Sequence, residues 1–317
     1  MLGRVPGGSG ACAQAPGSPA VHAMELRKRY GRTVALAGLS MTVERGEVFG
    51  FLGPNGAGKT TAVKLLLGLA RPTGGEAMVL GAPAGDLQTR RRIGYLPELF
   101  RYQSWLTARE VLVLHCRLRR LPRPRWARAV DEALQVVGLT GRGDDKVGTF
   151  SKGMQQRLGL GAALLGEPEL VFLDEPTSAL DPVGRHDVRE IIRSLASRGT
   201  AVFLNSHLLS EVEQVCDRVA VVDHGRVIAA GTMNELLSGT VVRVRVTGLS
   251  GADKNKLADF GRVDDEDEQL TFGNLDPDRV PDLVAAIVSM GGRVYEVAPR
   301  HQTLEDRFLQ LLEDEDK

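Results

Sequence analysis

Gly53-Pro54-Asn55-Gly56-Ala57-Gly58-Lys59-Thr60-Thr61 is the stretch on which the fold turns. It matches the phosphate-binding pattern G-x-x-x-x-G-K-[ST]. The residues before it, Val48-Phe49-Gly50-Phe51-Leu52, are short and apolar and read as a buried strand. Residues 61–69 after it read as a helix. Strand, glycine loop and helix form the context the motif requires. Glycines let backbone N–H groups curl around phosphate oxygens, and the helix N-terminus adds its positive dipole. Lys59 is placed to reach the β- and γ-phosphates of a nucleotide, and the Thr60 hydroxyl to sit on Mg²⁺. A glycine-rich turn with a chance lysine would not carry the full spacing together with both flanks.

Composition narrows the classes. The chain has 317 residues, enough for one large domain and a smaller one. Forty basic residues balance forty acidic ones, which argues against a dedicated nucleic-acid binder with its net basic footprint. Cys12, Cys116 and Cys216 lie far apart without a C-x-x-C, so neither a disulfide framework nor a zinc site is indicated. A reducing cytosol is the simplest home. No apolar run approaches the roughly 20 residues that span a bilayer. Residues 1–23 are rich in Gly, Ala, Pro and Ser and read as a disordered extension.

Residues 24–239 alternate short apolar strands with helices, which indicates an α/β nucleotide-binding core. Strands are expected near 34–39, 48–52, 77–80, 171–173, 201–204 and 219–222. Several of these are continuously apolar, as in a sheet buried on both faces. Residues 98–166 are mostly helical and read as an inserted subdomain, one helix opening on the capping box Thr107-Ala108-Arg109-Glu110. Within it, Arg117, Arg119, Arg120, Arg123, Arg125 and Arg128 read first as a solvated face. The other reading is a surface for anionic headgroups or an acidic loop. Residues 240–317 follow the order β-α-β-β-α-β, suggesting a small ferredoxin-like α+β domain with an acidic turn at 264–268 and a final helix near 304–312.

Leu170-Val171-Phe172-Leu173-Asp174-Glu175 is an apolar strand ending in two carboxylates. Asp174 is placed to organise Mg²⁺, and Glu175 to orient or deprotonate a water. Shortly before it, Phe150-Ser151-Lys152-Gly153-Met154-Gln155 resembles the Leu-Ser-Gly-Gly-Gln signature of ATP-binding cassette (ABC) ATPases. Ser151 and Gly153 agree; Phe150, Lys152 and Met154 depart, and Lys152 and Met154 make the signature resemble that of exporter and drug-resistance ATPases rather than importers. The resemblance implies that Ser151 and Gly153 contact ATP held by a second subunit. It implies that Asp181, in Ser178-Ala179-Leu180-Asp181, lies on a loop crossing the dimer interface. His207 looks like the switch histidine that bonds the γ-phosphate, and Tyr30 like the aromatic on which adenine stacks. Glu98 stands where the family usually has a glutamine that senses Mg²⁺ and the membrane partner.

The resemblance covers residues 24–237, and the C-terminal part resembles the accessory domain of ABC-2-type exporter ATPases. It implies a P-loop ABC ATPase core, ATP and Mg²⁺ as ligands, and a dimer, expected to be of identical chains. It also implies an integral-membrane permease as partner, on the inner face of the cell membrane, with no nucleic acid involved. The competing readings are a soluble ABC ATPase acting on nucleic acid or ribosomes and a P-loop kinase. The single cassette and the absence of sustained heptads weigh against the first. The signature, interface loop and switch histidine weigh against the second.

Overall fold

The computed structural model describes residues 18–237, 240–266, 269–273, 275–301 and 303–315. The chain divides into two compact units. One runs to His207 and resumes over Val215–Ala229; the other takes Leu208–Gln214 and everything from Ala230 onward.

The first unit opens with β1 (Val21–Tyr30) and β2 (Thr33–Val43), which form an antiparallel hairpin. The first strand thus begins at Val21, inside the stretch 1–23 expected to be a disordered extension. Composition obscured this: Val21 pairs with Val43 on one side and Val79 on the other, and both Val21 and Ala23 are buried. Residues 1–17 of the expected extension lie outside the described residues. Next come β3 (Val48–Leu52), α1 (Lys59–Leu66), β4 (Gly74–Val79), β5 (Ala82–Pro83), α2 (Leu87–Arg90) and β6 (Ile93–Leu96). The helical stretch holds α3 (Ala108–Leu118), α4 (Trp126–Val136) and α5 (Lys152–Leu164). Then follow, in chain order, β7 (Leu170–Asp174), α6 (Pro182–Ser197), β8 (Ala201–Asn205), α7 (Leu209–Val215), β9 (Arg218–Asp223), β10 (Arg226–Thr232) and α8 (Met233–Leu236), of which α7 and α8 fall in the segments of the second unit.

These strands make two sheets. The order β10-β9-β3-β8-β7-β6 is the central one, and β3, β6, β7, β8 and β9 pair in parallel. Every residue of β3, β7 and β8 is buried, as expected when helices cover both faces. Phe203 sits at the centre of an aromatic group, with the rings of Phe51 and Phe172 each 5.1 Å away and Phe49 at 5.7 Å. The second sheet, β2-β1-β4-β5, is antiparallel and half-exposed. The sequence reading placed residues 34–39 and 77–80 among the core strands; they belong to this separate sheet. It also passed over β6 and β10, the two edges of the central sheet. β6 has only four residues, and β10 alternates little.

Glycine permits close approach of α5 to β6: a Cβ on Gly94 would meet the Ala163 carbonyl at 2.4 Å. The Thr107 capping box forms as read, with Glu110 N–H donating to Thr107 Oγ1 at 3.1 Å and Thr107 N–H to Glu110 Oε2 at 2.8 Å. The arginine cluster is not a uniform solvated face. Arg117, Arg120, Arg123, Arg125 and Arg128 are exposed. Arg119 turns inward and donates to the carbonyls of Leu165 at 2.5 Å and Ala163 at 2.9 Å, closing the C-terminal end of α5. Burial pushes its pKa down to about 10.

The second unit contains β11 (Thr240–Thr247), α9 (Gly251–Lys256), β12 (Arg262–Glu266), β13 (Gln269–Gly273), α10 (Val280–Ser289), β14 (Arg293–His301) and α11 (Leu304–Glu315). The sheet order is β12-β13-β11-β14, antiparallel throughout, which is the βαββαβ ferredoxin-like arrangement. Val242, Val244 and Val246 point to a core with Leu270, Phe272, Leu283 and Ile287. Much of the acidic segment read as a turn is strand: β12 runs to Glu266, and residues 267–268 lie outside the described residues.

Candidate functional site

Parallel register brings three strand ends together. Phe51 stands beside Asn205, and Asn205 beside Asp174. The loop after β3, the Glu175 that follows β7 and the Ser206-His207 that follow β8 therefore leave the sheet at one edge. That edge, at the carboxyl ends of the strands, is where open α/β sheets bind ligands.

The loop after β3 depends on glycine at two points. A Cβ on Gly53 would lie 2.2 Å from the Val222 carbonyl oxygen, and one on Gly58 would lie 2.4 Å from that of Ala35. Gly58 has φ +101° and is the N-cap of α1. Ala57 is buried. Gly53, Pro54, Gly58, Lys59 and Thr61 are half-buried, and Asn55, Gly56 and Thr60 are exposed. Lys59 Nζ donates to the carbonyls of Gly53 at 2.5 Å and Pro54 at 3.0 Å. Burial holds its pKa below the usual lysine value, against the pull of Glu175, Asp174 and Glu98. These three carboxylates thus converge electrostatically on one ammonium.

Asp174 is buried at the end of β7, where its Oδ1 accepts from Asn205 Nδ2 at 2.5 Å. Burial raises its pKa; the Asn205 bond opposes this, while Glu98 and Glu175 add to it. Glu98 itself is exposed. Glu175 has φ +53°, a left-handed conformation that costs an L-residue roughly 1–2 kcal/mol. Its backbone is held from several sides. The N–H donates to the Asn205 carbonyl at 2.8 Å. The carbonyl accepts from Ser178 Oγ at 3.1 Å and from Gln156 Nε2 at 3.1 Å. The carboxylate Oε1 accepts the His207 N–H at 2.9 Å. Oε2 lies 2.7 Å from His207 Nδ1, yet no donor is aligned on it. Asn205 Oδ1 is a second buried acceptor without a donor.

Two buried acceptors with spare capacity suit a site that takes up a hydrated cation and a reactive water. Among the described residues, no three His, Cys, Asp or Glu side chains stand close enough to cage a metal.

The remaining residues singled out by sequence fall elsewhere. Ser151 is the exposed N-cap of α5 and accepts from the Met154 N–H at 3.2 Å. A Cβ on Gly153 would meet the Leu180 side chain at 3.3 Å and the Ala179 carbonyl at 3.5 Å, so this turn packs against the Ser178–Asp181 loop. Asp181 is exposed and caps α6 through the Gly184 N–H at 2.8 Å. Tyr30 ends β1 on the antiparallel sheet; it is 49% exposed, with Lys28 Nζ 4.7 Å from its ring centre. Sequence reasoning missed Asn205, Ser178 and Gln156 as partners of the carboxylates. Asn205 was detectable as the polar end of an apolar strand. Gln156 looks like any other helix glutamine until the helix is placed.

Residues 36–178 match the ABC transporter family. The chain is 41% identical over 298 residues to the daunorubicin resistance ATP-binding protein DrrA3 of Streptomyces coeruleorubidus, covering 91% of this chain and 94% of that protein. It is 35% identical over 294 residues to the Nod factor export ATP-binding protein I of a Rhizobium species, covering 90% and 94%. Among solved structures, an ATP-binding subunit of an ABC transporter aligns with a TM-score of 0.64 at 31% identity, over 69% of this chain and 92% of that one. With a glycine loop and strand-end carboxylates at one sheet edge, and relatives matched along nine-tenths of both chains, this chain belongs to the ABC transporter family as one of its ATP-binding subunits.

Proposed function

We propose that the chain hydrolyses ATP to power an exporter, working as one of two ATP-binding subunits beside a separate membrane permease. The convergence of the phosphate loop, Asp174, Glu175 and His207 at one sheet edge carries this reading. In it, the backbone N–H groups of Gly53–Thr61 and the Lys59 ammonium hold the β- and γ-phosphates. Glu175 accepts a proton as water attacks the γ-phosphorus, and ADP leaves. His207, fixed against Glu175, hydrogen-bonds the γ-phosphate. Tyr30 stacks on adenine. Mg²⁺, when bound, neutralises phosphate charge; Thr60 and Asp174 would hold it, with Glu98 within electrostatic reach. Phosphoryl transfer asks mainly for this positioning and charge stabilisation.

Ser151 and Asp181 are exposed, and the half-buried Gly153 packs between them against Ala179 and Leu180, which supports a role toward the nucleotide of a second copy in an ATP-closed dimer. Leu99 and Trp105 are 87% and 69% exposed in the segment after Glu98. Large apolar side chains in the open support a docking place for the permease at residues 98–109. No described helix is long and apolar enough to cross a membrane, so association with the inner face of the cell membrane would run through that permease. The relatives' names, daunorubicin resistance and Nod factor export, support a drug, antibiotic or lipid-like cargo.

The test is recovery of the tagged chain from its native membranes in mild detergent, with mass-spectrometric identification of what accompanies it. A stoichiometric multi-span membrane protein is expected. Recovery with ribosomes or soluble proteins alone would overturn the exporter reading.

A further inference from the structure

Glu175 is held in a left-handed conformation, and one of its restraints comes from an unexpected place. Gln156 lies on α5, five residues after Ser151, and is 5% exposed. Its side chain donates through Nε2 to the Glu175 carbonyl at 3.1 Å. The same carbonyl accepts from Ser178 Oγ at 3.1 Å, and the Glu175 N–H is fixed on the Asn205 carbonyl at 2.8 Å. A residue at φ +53° persists only when its surroundings over-determine it. From that backbone the carboxylate is directed at His207, with Oε1 accepting its N–H at 2.9 Å and Oε2 lying 2.7 Å from its Nδ1.

We propose that Gln156 is a positioning residue for hydrolysis: its amide fixes the Glu175 peptide and so aims the carboxylate at the attacking water. This rests on the assignment of Glu175 as base. The hydrogen bond also joins two functional parts of one chain. Ser151 caps the N-terminus of α5, and Gln156 is about 7.5 Å further along the same helix at 1.5 Å per residue. A shift of α5, such as engagement of its Ser151–Gly153 turn by a second copy's nucleotide would cause, therefore acts on the Glu175 peptide through one hydrogen bond. Gln156 ties the exposed turn that faces the neighbouring site to the carboxylate of its own.

Gln156→Met keeps length and bulk and removes the donor; Gln156→His keeps a ring N–H at similar reach. ATPase turnover and ATP affinity would be measured on the full chain for wild type, both variants, Glu175→Gln and the Gln156→Met/Glu175→Gln pair. Melting temperature serves as the check on folding. The expected result is a kcat roughly tenfold or more lower for Gln156→Met, the scale of a modest misplacement of a catalytic group. ATP affinity should be unchanged, turnover partly restored in Gln156→His, and nothing further lost when Gln156→Met is added to Glu175→Gln. Full turnover in Gln156→Met beside an inactive Glu175→Gln overturns the positioning role and leaves the base assignment standing. Full turnover in Glu175→Gln overturns the base assignment itself. A fall in ATP affinity and melting temperature in step with kcat, with no rescue by His, reduces Gln156 to a packing residue and also overturns the proposal.

Discussion

The Lys59 ammonium bonds two carbonyls of its own loop and feels the charges of Glu175, Asp174 and Glu98 while burial weakens its hold on the proton. An arriving phosphate would exchange those neutral acceptors for charged ones. Hydrogen bonds to charged groups contribute about 1.5–3 kcal/mol. Lys59→Ala is therefore expected to weaken ATP binding roughly 10- to 100-fold, read by titration with a fluorescent nucleotide. Unchanged affinity would count against the role given to the loop. Much of this was legible in the sequence, because a phosphate loop is contiguous and its chemistry follows from spacing. The restraints on Glu175 were not. They come from Gln156, Ser178, Asn205 and His207, which only the packing of α5 and the register of β7 on β8 bring together.

At the scale of elements, ends matter as much as middles. Arg119 closes α5 by donating to the carbonyls of Ala163 and Leu165. Removing it leaves buried acceptors unpaired, a loss of about 1–3 kcal/mol. Arg119→Ala should lower unfolding stability by that amount in urea denaturation, whereas Arg123→Ala, which is exposed, should change it little. Equal effects would restore the uniform solvated face that charge composition suggests.

Strand starts are tied in a similar way. Glu169 before β7 pairs with Arg45 before β3 at 2.9 Å and with Arg92 before β6. Hydrogen bonds from Arg92, followed by the bond from Arg45, hold its pKa below the ordinary 4.5. A depressed folded pKa means that the pairing stabilises the fold above the unfolded pKa. That contribution is lost as pH falls through the folded value. These side chains are partly exposed, so each pair contributes only about 0.2–1 kcal/mol. Glu169→Gln should therefore cost a little stability at neutral pH, and the gap to wild type should close in acid. A gap that does not shrink as pH falls would contradict the pairing. Sequence patterning found the long buried strands because β3, β7 and β8 are apolar throughout. It missed β6, whose four residues at a sheet edge are too few to show a period.

At the scale of the molecule, the two units differ in how far they could be read ahead. The βαββαβ order of the second unit follows from alternating valines and turn residues, and its sheet order agrees with that reading. The division of the first unit into a parallel and an antiparallel sheet was hidden, since strands of both kinds carry similar apolar runs. The aromatic group around Phe203 anchors the parallel sheet beneath the nucleotide edge. Phe203→Ala is expected to cost about 3–5 kcal/mol, enough to consume much of an ordinary domain's stability. A loss below 1 kcal/mol by thermal or urea unfolding would show that this group is not the centre of the core.

In the proposed mechanism, Glu175 drives hydrolysis in a dimer held shut by ATP. The most direct test is sedimentation of Glu175→Gln with Mg²⁺-ATP and without nucleotide, with phosphate release followed in the same sample. The account predicts a doubling of mass with ATP alone and turnover lower by roughly 100-fold or more. A variant that stays monomeric with ATP and hydrolyses at the wild-type rate would contradict it.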